Sequence, residues 1–386
     1  MHNRGGIKMK KQFIILYVIL TVCFVSCKTG NDRVPVVYVY QEPISRGDGW
    51  ETSSLTAQGI DVSSITQMIV KVKENIFKNV QGVLIIRNEK LVLEEYFPGY
   101  DFLGPYTNFD WNILHFQASC TKSFTSALIG IAFDQGYLTD LNTKLYAFFP
   151  EYPDIDWNNA KQDITLKHLL TMSAGLDWDE YTYSYFDSRN PHNQMYNSPD
   201  PIKFLLELPI ANEPGSTFLY NSGLSVLLGG VIRNTTSFYA NRLAERYLFA
   251  PLGIEEYQWE VIGNGTIQTG GGLRLRPRDM AKFGQLYLNG GTWKGMRIIS
   301  RTWVEESVKK HIDASSRRGY GFQWWTEQHR WNGQIIGSFS ARGWGGQYIY
   351  VFPDLALVVV FTGGNYYTNA DPALTMLNQY ILPAVY

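Results

Sequence analysis

The chain has 386 residues, of which 45% are hydrophobic, 15% aromatic and 18% charged. This composition excludes a disordered or low-complexity protein, and the length is sufficient for a large core. The 34 lysines and arginines face 35 aspartates and glutamates, which gives a formal net charge of -1. Because nucleic-acid binding depends mainly on clustered basic side chains, we expect no nucleic-acid partner.

The N-terminal segment predicts export. Residues 4–11 carry several basic side chains, and residues 13–25 carry no charge. This run is shorter than the roughly 20 residues that cross a bilayer, so it indicates a signal peptide over 1–26. Residues 24–27 (FVSC) are similar to a bacterial lipobox, which implies a lipid on Cys27. We expect a periplasmic or cell-surface lipoprotein that contacts the membrane through this lipid only. An ordinary cleaved signal peptide is the alternative.

The rest of the chain predicts a tether over 27–56, which contains Pro35 and Pro43, and a folded domain over 57–386. Helices are predicted at 65–77 and 119–135, and residues from about 137 to 310 have mostly helical patterns. The predicted strands are 82–87, 91–97, 320–325, 347–352 and 356–362.

Strands at both ends of a helical middle predict the fold class. We expect an α/β (α+β) fold in which one antiparallel sheet, built from both chain ends, is flanked by helices. The region from about 137 to 310 would then be an inserted, mostly helical subdomain. Cys120 is the one cysteine of this domain, so no disulfide is expected within it.

Several common site patterns are missing from the sequence. There is no Gly-x-Ser-x-Gly, and no two histidines are spaced i, i+4. The acidic run at 154–158 lacks the turn glycine and the final glutamate of a calcium loop. We therefore expect neither a metal ion nor an organic cofactor.

Ser119-Cys120-Thr121-Lys122 is the most informative motif. At a helix start, residues three apart share a face, so the Lys122 amine can lie beside the Ser119 hydroxyl that it must help deprotonate. The helix N-terminus disfavours a second positive charge and favours a neutral lysine. A second Ser-x-x-Lys at 307–310 lies among charged residues typical of a solvated helix face, whereas residues 123–133 after Ser119 carry no charge.

Tyr220 ends the turn 214–220, directly before a predicted helix. Its phenol can project into a cleft, where a neighbouring cation would favour phenolate. Taken alone, a packed tyrosine with a hydrogen-bonded hydroxyl is the more common structure.

Together with these two motifs, three further segments resemble the serine β-lactamase and penicillin-binding-protein superfamily. They are 164–176 (ITLKHLLTMSAGL), 270–291 (GGGLRLRPRDMAKFGQLYLNGG) and 343–347 (GWGGQ). The chain resembles in particular the class C β-lactamase-related hydrolases, which include esterases, D-aminopeptidases and nylon-oligomer hydrolases. The resemblance covers roughly residues 81–361.

This resemblance implies roles for individual residues. Ser119 would be the acyl-forming nucleophile, Lys122 its activating partner and Tyr220 a shared general base and acid. The second motif is often Tyr-x-Asn in the superfamily, whereas here Ser222 takes the third position and can hydrogen-bond Lys122 or the substrate. The backbone N–H groups of Ser119 and Trp344 would form the oxyanion hole.

The third motif departs from the superfamily. Where lactamases and transpeptidases have Lys-Thr-Gly, this chain has Ala341-Arg342-Gly343, which argues against strong β-lactam hydrolysis. Arg342 and Gly343 are expected beside the substrate, and Arg342 could anchor a carboxylate if its side chain faces the cleft. Trp178 belongs to an acidic and aromatic loop at 177–185 that is expected either to line the cleft or to lie on the surface.

These observations predict an exported serine hydrolase that forms an acyl-enzyme with an ester, amide or peptide substrate. A D-Ala carboxypeptidase or a β-lactamase is one alternative. A non-catalytic lipoprotein that binds cell-wall peptide or glycan is another. The partner is expected to be a small molecule or a peptide, and the sequence assigns no oligomeric state.

Overall fold

The structure, a computed structural model, describes residues 35–157, 159–368 and 370–386. The predicted signal peptide, Cys27 and the first part of the tether lie outside these residues. In the part of the chain that is described, no helix has the length and apolar character needed to cross a membrane.

The described residues form a main sheet of nine strands, in the spatial order β1-β3-β2-β9-β8-β7-β6-β5-β4. Neighbouring strands are antiparallel except for the parallel pair β1 and β3. The C-terminal strand β9 pairs with the N-terminal strand β2, so both chain ends build one sheet as predicted. In chain order the strands are Glu51–Thr52 (β1), Val80–Arg87 (β2), Lys90–Tyr96 (β3), Ile312–Asp313 (β4), Arg318–Tyr320 (β5), Trp325–Trp331 (β6), Gln334–Gly343 (β7), Gln347–Phe352 (β8) and Leu357–Gly363 (β9).

Helices cover both faces of this sheet. The α-helices of seven residues or more in the described ranges are Val62–Lys73 (α1), Thr121–Asp134 (α2), Pro191–Asn197 (α3), Pro201–Glu207 (α4), Ser222–Thr236 (α5), Pro277–Leu288 (α6) and Arg301–Val308 (α7). Shorter α-helices are Leu166–Leu170, Ala240–Ala244, Ala250–Leu252, Pro372–Met376 and Leu382–Ala384. Small two- and three-stranded sheets are formed by Gly99–Tyr100, Tyr106–Thr107, His115–Phe116, Gln258–Trp259, Val261–Ile262, Thr266–Ile267, Leu273–Leu275, Thr292–Trp293 and Met296–Arg297.

Alternate residues of the central strands supply two separate cores. In β2, Leu84 and Ile86 face the core that includes α2, α5 and α6, whereas Val83 and Ile85 face the core that includes α1 and the C-terminal helices. This alternation follows from the two-residue period of a strand. The sheet is therefore the middle of three layers. Helix α6 packs on it although it lies within 137–310, so that range is not helical subdomain throughout.

The strand predicted at 320–325 is wrong, because the chain leaves the sheet between β5 and β6. Gln323 has a φ of +61°, and its side chain donates to the carbonyl oxygens of Leu169 and Leu170 at 3.0 and 3.1 Å. The hydroxyl of Ser225 donates to its side-chain oxygen at 2.6 Å, and the hydroxyl of Ser123 donates to its backbone oxygen at 2.7 Å. Gln323 thus joins α2 to α5 instead of continuing the strand.

The tether prediction is wrong for residues 38–56, which pack on the domain. The Tyr40 hydroxyl donates to the Val92 carbonyl oxygen at 2.8 Å, and the buried Trp50 indole donates to the Arg278 carbonyl oxygen at 3.2 Å. Glu51–Thr52 then adds strand β1 beside β3. The aromatic side chains of this segment provide the apolar contact that a free linker would lack.

Close packing of α2 gives a test of the fold. A Cβ atom added at Gly130 would lie 2.3 Å from Cδ1 of Trp303 in α7, so Gly130→Ala forces α2 and α7 apart. We expect a loss of about 2 kcal/mol in the free energy of unfolding, measured by urea denaturation. Gly337→Ala in β7 is the matched control, because no atom lies within 4 Å of its added Cβ. Equal stabilities of the two variants would contradict this packing.

Candidate active site

The site begins at a tight turn before α2. Residues Ala118–Cys120 form one turn of 3₁₀-helix, and Ala118 has a φ of +44°, a left-handed conformation that is strained for a residue with a side chain. Ser119 is partly exposed, whereas Ala118 and Cys120 on either side are buried. The turn therefore brings the Ser119 hydroxyl to the surface of an otherwise closed region.

Lys122 is buried and joins three segments of the chain. Its Nζ lies 2.8 Å from Ser119 Oγ, 3.0 Å from Ser222 Oγ and 2.5 Å from the carbonyl oxygen of Gly270. Its side chain is 1% exposed. Burial lowers the pKa of Lys122 from its usual 10.5 to about 8, although the nearby Glu180 carboxylate raises it in part. The structure confirms the contacts predicted from the Ser-x-x-Lys spacing and from Ser222.

Glu180 determines how these groups share their protons. One carboxylate oxygen accepts the Ser222 hydroxyl at 2.9 Å, and the other accepts the Ser222 backbone N–H at 2.7 Å. Because Ser222 gives its hydroxyl proton to Glu180, its oxygen must accept from Lys122. Gly270 offers only a carbonyl acceptor. When Lys122 is neutral, its two N–H groups donate to these two oxygens and its lone pair is left for the Ser119 proton; when it is protonated, it also donates to Ser119 Oγ.

Tyr220 lies on the other side of Ser119. Lys122 Nζ lies 5.0 Å from the centre of the Tyr220 ring, and the nearby Ser119 hydroxyl lowers the Tyr220 pKa in part. Burial raises the pKa of Tyr220 well above its usual 10. The expected phenolate is therefore not favoured: desolvation keeps the proton on the Tyr220 hydroxyl, and the neighbouring Glu180 carboxylate acts in the same direction.

The end of β7 lies against the Ser119 turn. A Cβ atom at Gly343 would be 2.2 Å from the Gln117 carbonyl oxygen and 3.2 Å from the Cys120 backbone nitrogen, so only glycine allows this approach. The next residue, Trp344, borders the same cavities as Ser119. The structure thus brings together Ser119, Gly343 and Trp344, which sequence reasoning assigned to one site.

Arg342 borders the site, but its charge is already paired. Its Nε donates to Ser340 Oγ at 2.9 Å, and its guanidinium also donates to the Glu327 carboxylate. The side chain is 13% exposed, and its guanidinium carbon lies 5.4 Å from the centre of the Tyr350 ring. A substrate carboxylate would have to compete with Glu327 for this cation.

Trp178 was expected to line the cleft or to lie on the surface, and the structure shows neither. Its side chain is 3% exposed, and its indole donates to the Glu180 carboxylate at 2.7 Å, so it positions this carboxylate. The Tyr185 hydroxyl also donates to Glu180, at 2.9 Å.

In the sequence analysis, Glu180 belongs to the loop 177–185 but has no role. A lone glutamate in a loop rich in acidic and aromatic residues carries no signal that distinguishes it from its neighbours.

Two cavities open on either side of Ser119. The first, of about 300 Å³, includes Ser222 and Gly270 and has mainly aromatic and apolar walls. The second, of about 660 Å³, includes Tyr220, Glu180 and Arg342. Ser119, Tyr185 and Trp344 border both. Within the described ranges, no group of three or more histidine, cysteine, aspartate or glutamate residues is placed to hold a metal ion.

A mainly antiparallel sheet covered by helices, with a serine, a lysine and a tyrosine close to the end of one of its inner strands, defines the serine β-lactamase and penicillin-binding-protein class of fold. The β-lactamase family model matches residues 75–375. The chain belongs to the β-lactamase family and is a serine hydrolase.

Individual relatives agree with this assignment. The 6-aminohexanoate-dimer hydrolase of Paenarthrobacter ureafaciens is 22% identical over 296 residues, which cover 72% of this chain and 70% of the relative. A solved structure from Bacillus anthracis, assigned as a 6-aminohexanoate-dimer hydrolase, has a TM-score of 0.66 at 24% identity and covers 80% of each chain. A family VIII carboxylesterase has a TM-score of 0.63 at 19% identity, covering 84% of this chain and 98% of its own.

The buried amine predicts a pH-dependent stability. Below its folded pKa of about 8, Lys122 is charged in a dry site, and between this pH and 10.5 the folded amine has lost a proton that the unfolded chain still holds. This cost reaches its full size as pH falls through about 8 and disappears above 10.5. Relative to Lys122→Met, the parent should therefore gain about 2–3 kcal/mol of unfolding free energy between about pH 7 and pH 10. Urea titrations at both pH values would measure the difference, and a constant difference would contradict the lowered pKa.

Proposed function

We propose that this protein hydrolyses an ester, amide or peptide through an acyl-enzyme on Ser119. The observation that carries the proposal is the contact of 2.8 Å between Lys122 Nζ and Ser119 Oγ, with both other partners of the amine being acceptors. This arrangement leaves the lone pair of a neutral amine free for one proton, that of Ser119. It is the arrangement that a nucleophilic serine needs.

In the proposed acylation, Ser119 Oγ attacks the substrate carbonyl carbon while its proton passes to Lys122. The Ser119 and Trp344 N–H groups stabilise the oxyanion. Tyr220 then donates its hydroxyl proton to the leaving group as the carbon–heteroatom bond breaks, and the proton held by Lys122 restores the phenol. The Ser119 proton has thereby been transferred to the leaving group.

Deacylation uses the same groups in reverse order. Water enters the position that the leaving group vacates and attacks the ester carbonyl while its proton passes through Tyr220 to Lys122. Collapse of the second tetrahedral intermediate returns the proton to Ser119 Oγ and releases the carboxylic acid. Every step is a proton transfer or an acyl transfer, so the cycle needs no redox partner.

The substrate bond is proposed from the relatives and from Arg342. The names of the relatives indicate cleavage of amides and carboxylic esters. A D-Ala carboxypeptidase or a β-lactamase would need an anchor for the substrate carboxylate, and Glu327 already occupies the Arg342 cation. We therefore favour an ester or amide that has no carboxylate next to the reacting carbonyl.

Covalent labelling tests the proposed function. We expect a fluorophosphonate to label Ser119 in the parent and to leave Ser119→Ala unlabelled, with the adduct located by peptide mass spectrometry. Ser307→Ala is a matched control: Ser307 begins the second Ser-x-x-Lys sequence but, instead of lying on a solvated helix face, is buried and donates its hydroxyl to the Val304 carbonyl oxygen, so this variant should label like the parent. A fluorescent penicillin in parallel tests the cell-wall alternative. A folded parent that gives no adduct would favour the non-catalytic binding protein.

The carboxylate of Glu180 predicts a shift in the pH profile. Since only the neutral amine accepts the Ser119 proton, kcat/KM should rise with pH around the Lys122 pKa of about 8. The negative charge of Glu180 raises this pKa, so Glu180→Gln should move the midpoint down by about one pH unit. It should also reduce kcat by about tenfold or more, because the Ser222 hydroxyl loses its charged acceptor.

Tyr185→Phe controls for this experiment. It removes one hydrogen bond to Glu180 and keeps the charge, so the midpoint should stay with the parent even if the rate changes. A midpoint that moves equally in both variants, or that does not move in Glu180→Gln, would show that Glu180 has a structural role only.

We also propose that the protein is an exported lipoprotein anchored at Cys27. Support comes from the basic residues, the uncharged run of 13–25 and the FVSC sequence. Metabolic labelling with a palmitate analogue should mark the parent, and Cys27→Ala should remain unlabelled.

A further inference from the structure

The two cavities beside Ser119 differ in which reacting groups they contain. Tyr220 and Glu180 border only the cavity of about 660 Å³, whereas Ser222 and Gly270 border only the cavity of about 300 Å³. Ser119 and Trp344, which would hold the carbonyl group, border both. A bound substrate can therefore extend in two directions from its reacting carbon, one toward Tyr220 and one away from it.

The position of Tyr220 fixes the direction of the substrate. A general acid must reach the atom that departs, so the leaving group must lie in the cavity that Tyr220 borders. The acyl group lies on the opposite side of the carbonyl carbon. It consequently enters the smaller cavity.

The walls of the smaller cavity determine which acyl group fits. They include Phe102, Leu103, Phe116 and Phe186, and the Phe102 and Phe116 rings stack at 4.3 Å between their centres. His192 also borders this cavity, and burial lowers its pKa to about 4, so its imidazole is uncharged at neutral pH. The one carboxylate among the lining residues, that of Glu260, accepts a hydrogen bond from the Tyr196 hydroxyl.

The larger cavity has a different chemical character. Its lining includes the hydroxyl-bearing rings of Tyr181, Tyr183 and Tyr367, together with Arg342 and Glu180. The tyrosine hydroxyls offer hydrogen bonds, which suit a polar alcohol or amine. An apolar chain would gain less in this cavity than against the phenylalanine cluster.

From these observations we infer that the substrate has an apolar acyl group, which binds in the Phe102, Phe116 and Phe186 cavity, and a polar leaving group, which binds in the tyrosine-lined cavity. The inference rests on the proposed function, since it needs an acyl transfer to Ser119. It adds the class of substrate and the direction in which the substrate binds.

The test uses p-nitrophenyl esters with acetyl, butyryl and hexanoyl groups, which change only the acyl half. Burial of each methylene should raise kcat/KM by about threefold in the parent, or roughly tenfold from butyrate to hexanoate. Phe186→Ala and Leu103→Asn remove apolar wall from exposed positions, so folding is not at risk. Asparagine also suits the φ of +53° at residue 103. Both variants should reduce the ratio of hexanoate to acetate by about threefold or more.

Tyr183→Ala, in the other cavity, is the matched variant. It should leave the acyl-chain ratio at the parent value and change the relative rates of p-nitrophenyl and glyceryl butyrate. Deacylation gives an independent measurement, because the leaving group has then departed. Its rate constant, from stopped-flow bursts, should change in Phe186→Ala and remain the same in Tyr183→Ala.

Failure of the inference is distinguishable from failure of the proposed function. If the parent forms no acyl-enzyme on Ser119, the proposed function is wrong. A parent that forms one, but whose acyl-chain ratio and deacylation rate respond to Tyr183→Ala and not to Phe186→Ala or Leu103→Asn, would reverse the assignment of the two cavities.

Discussion

The site depends on one constraint, the burial of the Lys122 amine. A lysine head group in a dry interior is costly unless acceptors surround it. The chain supplies them from one neighbouring and two distant segments: Ser119 in the turn before α2, Ser222 at the start of α5 and the Gly270 carbonyl oxygen. Helix α5 must therefore approach α2 closely, and the loop at residue 270 must close over both. The meeting of these segments also creates the cleft.

The same region has to tolerate a strained turn, and the sheet provides the support. Cys120 donates its thiol to the Gln347 carbonyl oxygen at 3.3 Å, and Gln347 donates its side-chain amide to Gly363 at 2.6 Å. The Ser119 turn is thus tied to β8 and β9. Since β8 and β9 are fully buried central strands, the left-handed backbone at Ala118 is held by the buried centre of the sheet.

The sequence predicted those parts of the structure that depend on local pattern. The hairpin of β2 and β3, the helix after Ser119 and the sheet from both chain ends follow from strand and helix periods. Ser119, Lys122 and Ser222 meet because motif spacing already encodes their contact. The roles of Glu180 and Gln323 could not be predicted in this way, because they depend on Ser222 and Ser225, which are at least 42 residues away in the chain. Trp178 was misassigned since an exposed and a buried tryptophan look alike in sequence.

Desolvation acts in opposite directions on the two titratable groups beside Ser119. Burial disfavours the charged form of each, and the charged forms are an ammonium for Lys122 and a phenolate for Tyr220. It therefore lowers the pKa of Lys122 and raises the pKa of Tyr220. Above the Lys122 pKa of about 8 both groups are neutral, one as a base with a free lone pair and the other as an acid with a proton to give. A cleft that excludes water thus prepares an acid and a base together. Opening it to solvent would favour protonation of Lys122 and so remove the base first.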